Sequence, residues 1–138
     1  GPGPSRSCAW GEHSKIFCAI VGVNGRTDWV MQAQYEHDGL LPRPLGASPE
    51  EDPALYAAAS PLPNAHAVNA PMLLVAGADD GQILPVNARA MADSLRAHSR
   101  RFDLLFFEDE GHWIEAEDNR MEFIRRAMST LEACQARR

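Results

Sequence analysis

Residues 71–83 read PMLLVAGADDGQI, and the fold turns on how the first half of that stretch is taken. The run MLLVAG (72–77) is apolar at both parities, opens after a proline and closes on a glycine followed by Ala78 and two aspartates. A strand with one wet face would alternate, and a buried helix would run longer, so this pattern predicts a strand covered on both faces. Two further runs have the same character, FCAIVGV (17–23) and FDLLFF (102–107). Between the second and third, Ala88, Met91 and Leu95 recur at the spacing of one helix face. After the third, Met121, Ile124, Met128 and Leu131 repeat that spacing, behind Glu115, Glu117 and Asp118, whose carboxylates suit the positive end of a helix dipole. Strand, helix, strand, helix is the order of an α/β fold, so about three parallel strands with flanking helices are expected.

The 138 residues amount to one domain or part of one, with no internal repeat. No apolar run approaches the roughly 18 residues of a membrane span. A formal net charge of -6 without a Lys/Arg cluster offers a nucleic-acid backbone nothing to hold, so neither membrane nor nucleic acid is expected as a partner. Cys8, Cys18 and Cys134 are odd in number and lack CxxC spacing, which predicts reduced structural thiols. The opening GPGPSRS has no signal-peptide pattern and reads as a linker or cloning remnant; the compartment stays open, with the cytoplasm favoured.

The stretch from Asp38 to Asn69 is dense in proline and polar residues. Within it Ser48, Pro49 and Glu51 stand where an N-cap, a first helical residue and a capping-box partner would, which predicts a helix over 49–59. An excursion of this length beside a sheet is expected to carry binding surface.

Ligands of open α/β sheets collect beyond the carboxyl ends of the strands. Asp79 and Asp80 follow MLLVAG there, and Glu110, Gly111 and His112 follow FDLLFF. A carboxylate and an imidazole at neighbouring strand ends can pair, the carboxylate fixing the tautomer and steadying the imidazolium. The rival reading, Asp79 and Asp80 as a paired-carboxylate magnesium site, would need further acidic and lysine partners, and Lys15 is the one lysine. No metal and no cofactor are therefore expected. His13, His37, His66 and His98 lack a comparable frame and read as surface or structural.

PMLLVAGADDGQILP followed some thirty residues later by FFEDEGHWI resembles the acid and histidine segments of an α/β-hydrolase, where the chain order is Ser, Asp, His. The nearer resemblance is to the prolyl oligopeptidase family of serine peptidases. FCAIVGVNGRTDW looks like the strand after that family's nucleophile helix with its Asp-Trp sequel, and DPALYAAASPLPNAHAVNAP like the short helix and turn before the acid strand. The resemblance covers about 16–133. It implies a partial α/β-hydrolase fold, with Asp80 as the triad acid, since Gly77, Asp80 and Ile83 match the family's frame, and with His112 as the base. Asp79 then caps the loop.

The family's nucleophile motif, G-x-S-x-G on a sharp strand-to-helix turn, should lie roughly fifteen residues before FCAIVGV. Gly3, Ser5 and Ser7 are a poor echo of it, with no apolar strand ahead and Pro4 against the serine, so Ser5 is not expected to serve. On this reading residues 1–15 are a tag, a linker or a remnant of the nucleophile helix, and 16–138 the C-terminal portion of a catalytic domain. The nucleophile and oxyanion hole lie outside the chain, which alone should be inactive. The resemblance implies a peptide substrate and makes Trp29, Tyr35 and Gln82 candidates to line its pocket, without carrying over a preference for proline. An esterase or lipase of the same fold, or a noncatalytic interaction domain, are the alternatives. The first strand, lacking its neighbour, should expose an edge through which the chain self-associates.

Overall fold

A computed structural model describes residues 16–36 and 45–136. Ser5, Cys8, His13, Lys15 and His37 lie outside these residues. The three apolar runs form β1 (Ile20–Val23), β2 (Met72–Gly77) and β3 (Phe102–Phe107), all parallel in the order β1-β2-β3. Met72 sits beside Ile20 on one side and Phe102 on the other, which brings the carboxyl ends of all three strands to one rim.

Every residue of the central strand is buried, as its unbroken apolar run requires. On one face Met72 and Leu74 pack against Met91, Ala92 and Leu95. Those three belong to a helix, α3 (Val86–Ala97), preceded by α1 (Trp29–Tyr35) and α2 (Pro53–Ala59). On the other face Leu73, Val75 and Phe107 meet Phe123 and Ala127 of α4 (Glu117–Gln135).

Burial on both faces, expected of all three runs, holds for β2 alone: Val23 of β1 and Asp103 of β3 are exposed, because these two are the outer strands of the described sheet. Three further expectations are corrected. The Ser48 capping box exists, with the Ser48 N–H donating to Glu51 Oε2 at 2.8 Å and the Glu51 N–H to Ser48 Oγ at 3.2 Å, but it closes a turn. The helix starts later, at Pro53, because Pro53 bars the residue before it from helical angles; Asp52 becomes the N-cap, accepting from Leu55 N at 3.0 Å.

The second correction concerns α4. Its sheet-facing residues are Phe123, Ala127 and Cys134, whereas Met121, Ile124, Met128 and Leu131 are 45% to 60% exposed. The periodicity was a true helical stripe facing away from the sheet. Ser129, Thr130 and Ala133 lie over the β3 side and Arg120 over the β1 side, so Ile124 and Leu131 occupy the flank that looks past β1. Val23 of that edge strand is itself 41% exposed.

Third, Cys18 and Cys134 are not reduced thiols but a disulfide, with Cα atoms 5.1 Å apart and a sequence separation of 116. Cys18 enters β1 and Cys134 lies near the end of α4, which runs back toward that end of the sheet. Tertiary placement creates the pair, and spacing along the chain carries no sign of it.

Candidate active site

The rim is built by two loops that cross above β2. Past the strands the backbones remain bonded, Ala78 N to Phe107 O at 2.8 Å and Asp79 N to Glu110 O at 2.9 Å. The crossing depends on Gly77: a Cβ there would fall inside the van der Waals envelope of the Glu110 and Gly111 carbonyls.

Asp80 is almost wholly buried, and both carboxylate oxygens are engaged. Oδ1 accepts from the backbone N–H of Gln82 at 2.8 Å and of Ile83 at 2.9 Å. Oδ2 lies 2.9 Å from His112 Nδ1, and the His112 side chain keeps 23% of its surface open to solvent. An ionised carboxylate only accepts, so Nδ1 carries the proton and the lone pair falls on Nε2. The pair can therefore do general-base chemistry at Nε2 while Asp80 steadies the imidazolium that results. Among the described residues no group of three or more His, Cys, Asp or Glu is placed to hold a metal ion.

Glu110, which the sequence left without a role, organises the histidine loop. It is 4% exposed and bonds the N–H groups of Glu115 at 2.9 Å and Ala116 at 3.0 Å and the amide of Asn119 at 2.8 Å. Ala116 precedes α4 and has no side chain able to cap it, and Glu110 anchors the approach to the helix by taking up the two N–H groups just before it and the Asn119 side chain in its first turn. The Glu115 N–H, then the Asn119 amide, and after them Ala116 N–H and Arg120 hold its carboxyl below the usual carboxylate range, overcoming the opposite push of burial.

The Asp80 loop rests on a buried amide network that sequence reading also missed. Gln32, fully buried, donates to Gln82 O at 2.8 Å and accepts from Asn87 at 3.2 Å and from Leu84 N at 3.3 Å. Asn87 in turn receives the N–H groups of Thr27 at 3.0 Å and Asp28 at 3.1 Å. Asp28 caps α1 through Val30 N at 2.9 Å and Met31 N at 3.2 Å, which explains the Asp-Trp sequel to β1. A buried glutamine in a short helix gives no periodic signal, so only its partners reveal it.

Of the residues expected to line a substrate pocket, the structure brings two to the Asp80 loop. The Tyr35 hydroxyl reaches the Gly81 carbonyl at 3.5 Å, and Gln82 is held there by its backbone while its side chain faces solvent. Trp29 stands apart at the other end of α1, its backbone N–H donating to Ser60 Oγ at 2.9 Å and its ring 5.0 Å from the Arg26 guanidinium. On the β1 side of His112 a recess of about 320 Å³ is lined by Val23, Asn24, His112, Trp113, Ile114 and Phe123. Trp113 meets the imidazole edge to face at 5.1 Å and is otherwise 70% exposed.

Among solved structures the chain superimposes on Pyrococcus horikoshii acylaminoacyl peptidase with TM-score 0.80 at 23% identity, covering 90% of this chain and 21% of that one. Porphyromonas gingivalis dipeptidyl peptidase 4 gives 0.77 at 21% identity, over 90% and 17%. A puromycin-hydrolyzing peptidase of Mycobacterium tuberculosis gives 0.68 at 23%, over 78% and 17%. The chain thus spans about a fifth of the length of these proteins, and the likeness establishes a partial α/β-hydrolase fold. A direct comparison with curated protein sequences finds no match. The sequence profile of the prolyl oligopeptidase family matches residues 4–136, and the chain belongs to that family.

Proposed function

We propose that the protein acts as a serine-type peptidase in which this chain supplies the acid, Asp80, and the base, His112, while the serine and the oxyanion donors come from outside the chain. The observation that carries this reading is the Asp80–His112 pair, its carboxylate buried with both oxygens hydrogen-bonded and its imidazole open at the far nitrogen. Nε2 takes the proton of the serine hydroxyl as Oγ bonds to the peptide carbonyl. The imidazolium then returns that proton to the leaving amine as the C–N bond breaks, and a water repeats the relay to release the acyl group. Among the described residues the His112 ring hydrogen-bonds no side chain but Asp80, and Ser60, held between Trp29 N and Tyr56 O, is committed to structure. Relatives of this fold named as acylaminoacyl and dipeptidyl peptidases favour peptide substrates, with Tyr35 and Gln82 beside the acid loop as contacts.

The test is a fluorophosphonate probe applied to this chain alone and to a longer polypeptide that includes its preceding sequence. The chain alone should stay unlabelled; the longer form should label and cleave peptide amides, and His112→Asn should abolish cleavage. Labelling of the chain alone, or cleavage surviving His112→Asn, would refute the assignment. Turnover of esters with no turnover of amides would move it to an esterase.

Among the described residues β1 has β2 as its one neighbouring strand, and the same reading gives its other edge a partner. Exposed Val23, the exposed α4 flank and Trp113 adjoin it, so the isolated chain pairs with a second copy there. Sedimentation should show dimers or larger species at high concentration, and a strict monomer would count against the idea.

A further inference from the structure

Asn24 is the first residue beyond β1 and adopts φ 46°, in the left-handed region that asparagine tolerates better than other side chains. Its own N–H continues the sheet ladder to the Val75 carbonyl at 2.8 Å. Its side chain then spans the rim: Oδ1 accepts from the Gly77 N–H at 3.3 Å, and Nδ2 donates to the His112 carbonyl. One amide thereby joins the ends of β1 and β2 to the loop after β3.

Among the described residues, the bond from Asn24 is the only hydrogen bond made by the His112 main chain. The residue before it is Gly111, which turns more freely than any other. Glu110 fixes the loop two residues earlier and Asp80 fixes one ring nitrogen, which leaves rotation about Gly111 as the motion that would swing Nε2 off its line.

Resting on the reading of His112 as the base, we propose that Asn24 is a positioning residue for it, aiming the imidazole by clamping the His112 carbonyl while anchored on Gly77. Only a side chain that donates and accepts at once can do both. Aspartate keeps the acceptor toward Gly77 and tolerates positive φ, but it presents an oxygen to an oxygen at His112. Glycine keeps the backbone angle and removes both bonds.

These two variants separate positioning from a merely structural cap. In the 138-residue chain, NMR should detect scalar coupling across the hydrogen bond from the Asn24 amide to the His112 carbonyl. The Nδ1–H proton of His112, protected by Asp80, should exchange with water roughly five- to tenfold faster in both Asn24→Asp and Asn24→Gly, the factor expected for one lost hydrogen bond. In the longer, active polypeptide both variants should lower kcat by a similar factor with KM unchanged. An Asn24→Asp protein whose Nδ1–H exchange matches wild type overturns the proposal, because Asn24 then serves only the strand ends. Should either variant fail to fold, the coupling in the wild-type chain decides: its presence supports the clamp and its absence overturns it. Full activity in His112→Asn would sink the catalytic reading while leaving the NMR result to judge the clamp, so the two fail separately.

Discussion

Adding one methyl group at Gly77 tests how the rim is built. In Gly77→Ala the new Cβ overlaps the carbonyls of Glu110 and Gly111, and neither can simply withdraw. Glu110 O is bonded to Asp79 N at 2.9 Å, and its side chain is held by three more bonds. The loop must lift, which costs about 1–3 kcal/mol for overpacking. Breaking the Asp79 bond and the Asn24 bond adds about 1 kcal/mol each, partly offset by the smaller entropy of the unfolded alanine chain. A net loss of about 3 kcal/mol follows, which for a domain of this size lowers Tm by about 10–15 °C. Gly81→Ala is the control: no atom lies within 4 Å of the position a Cβ would take, so its melting point should match or slightly exceed wild type. Calorimetry on the two variants, with the His112 Nδ1–H signal followed in parallel, measures both effects. If Gly77→Ala melts within about 2 °C of wild type and keeps that signal, the crossing is looser than described and the rigid placement of His112 is wrong.

Two further outcomes follow from other parts of the structure. Glu110 has its carboxyl lowered from 4.5 in the fold, so the stability it contributes is complete above the unfolded value and is lost as pH falls through the lower folded one. Unfolding titrations should show stability rising with pH across that acid window, and Glu110→Gln should flatten the rise. Reducing Cys18–Cys134 frees a loop of more than a hundred residues in the unfolded chain, so reductant or a Cys18→Ser, Cys134→Ser double variant should cost about 2–5 kcal/mol in denaturant melts. Identical melts with and without reductant would mean that the bond is not formed in solution.

Much of this fold was written in local patterns. The runs 72–77 and 102–107 became strands with their expected ends. The first is buried on both faces, which demands apolar residues at both parities; the second lies at the edge of the described sheet, with Asp103 exposed and Phe107 its one buried residue. Ala88, Met91 and Leu95 faced the core as their spacing indicates. The Asp80–His112 contact was legible because chain order and strand ends together bring two loops to one rim. What escaped depends on three-dimensional neighbours. The stripe from Met121 to Leu131 has the period of a buried face, and periodicity cannot say which of two apolar faces meets the sheet; Phe123 and Ala127 win because they fit over Leu73 and Val75. Ser48 caps a turn rather than a helix because a second proline, five residues after the serine, moves the start. Asn24 and Gln32 act through long-range hydrogen bonds, which leave no mark on composition or spacing, and Glu110 acts through bonds to residues five to nine positions on that follow no helical or strand period.

The bond between Cys18 and Cys134 also determines how the molecule bears a mechanical load. Tension applied to the two ends of the chain passes from one sulfur to the other and bypasses the residues between them, a sequence separation of 116. The paired loops at the opposite pole would feel no pull until the sulfurs part.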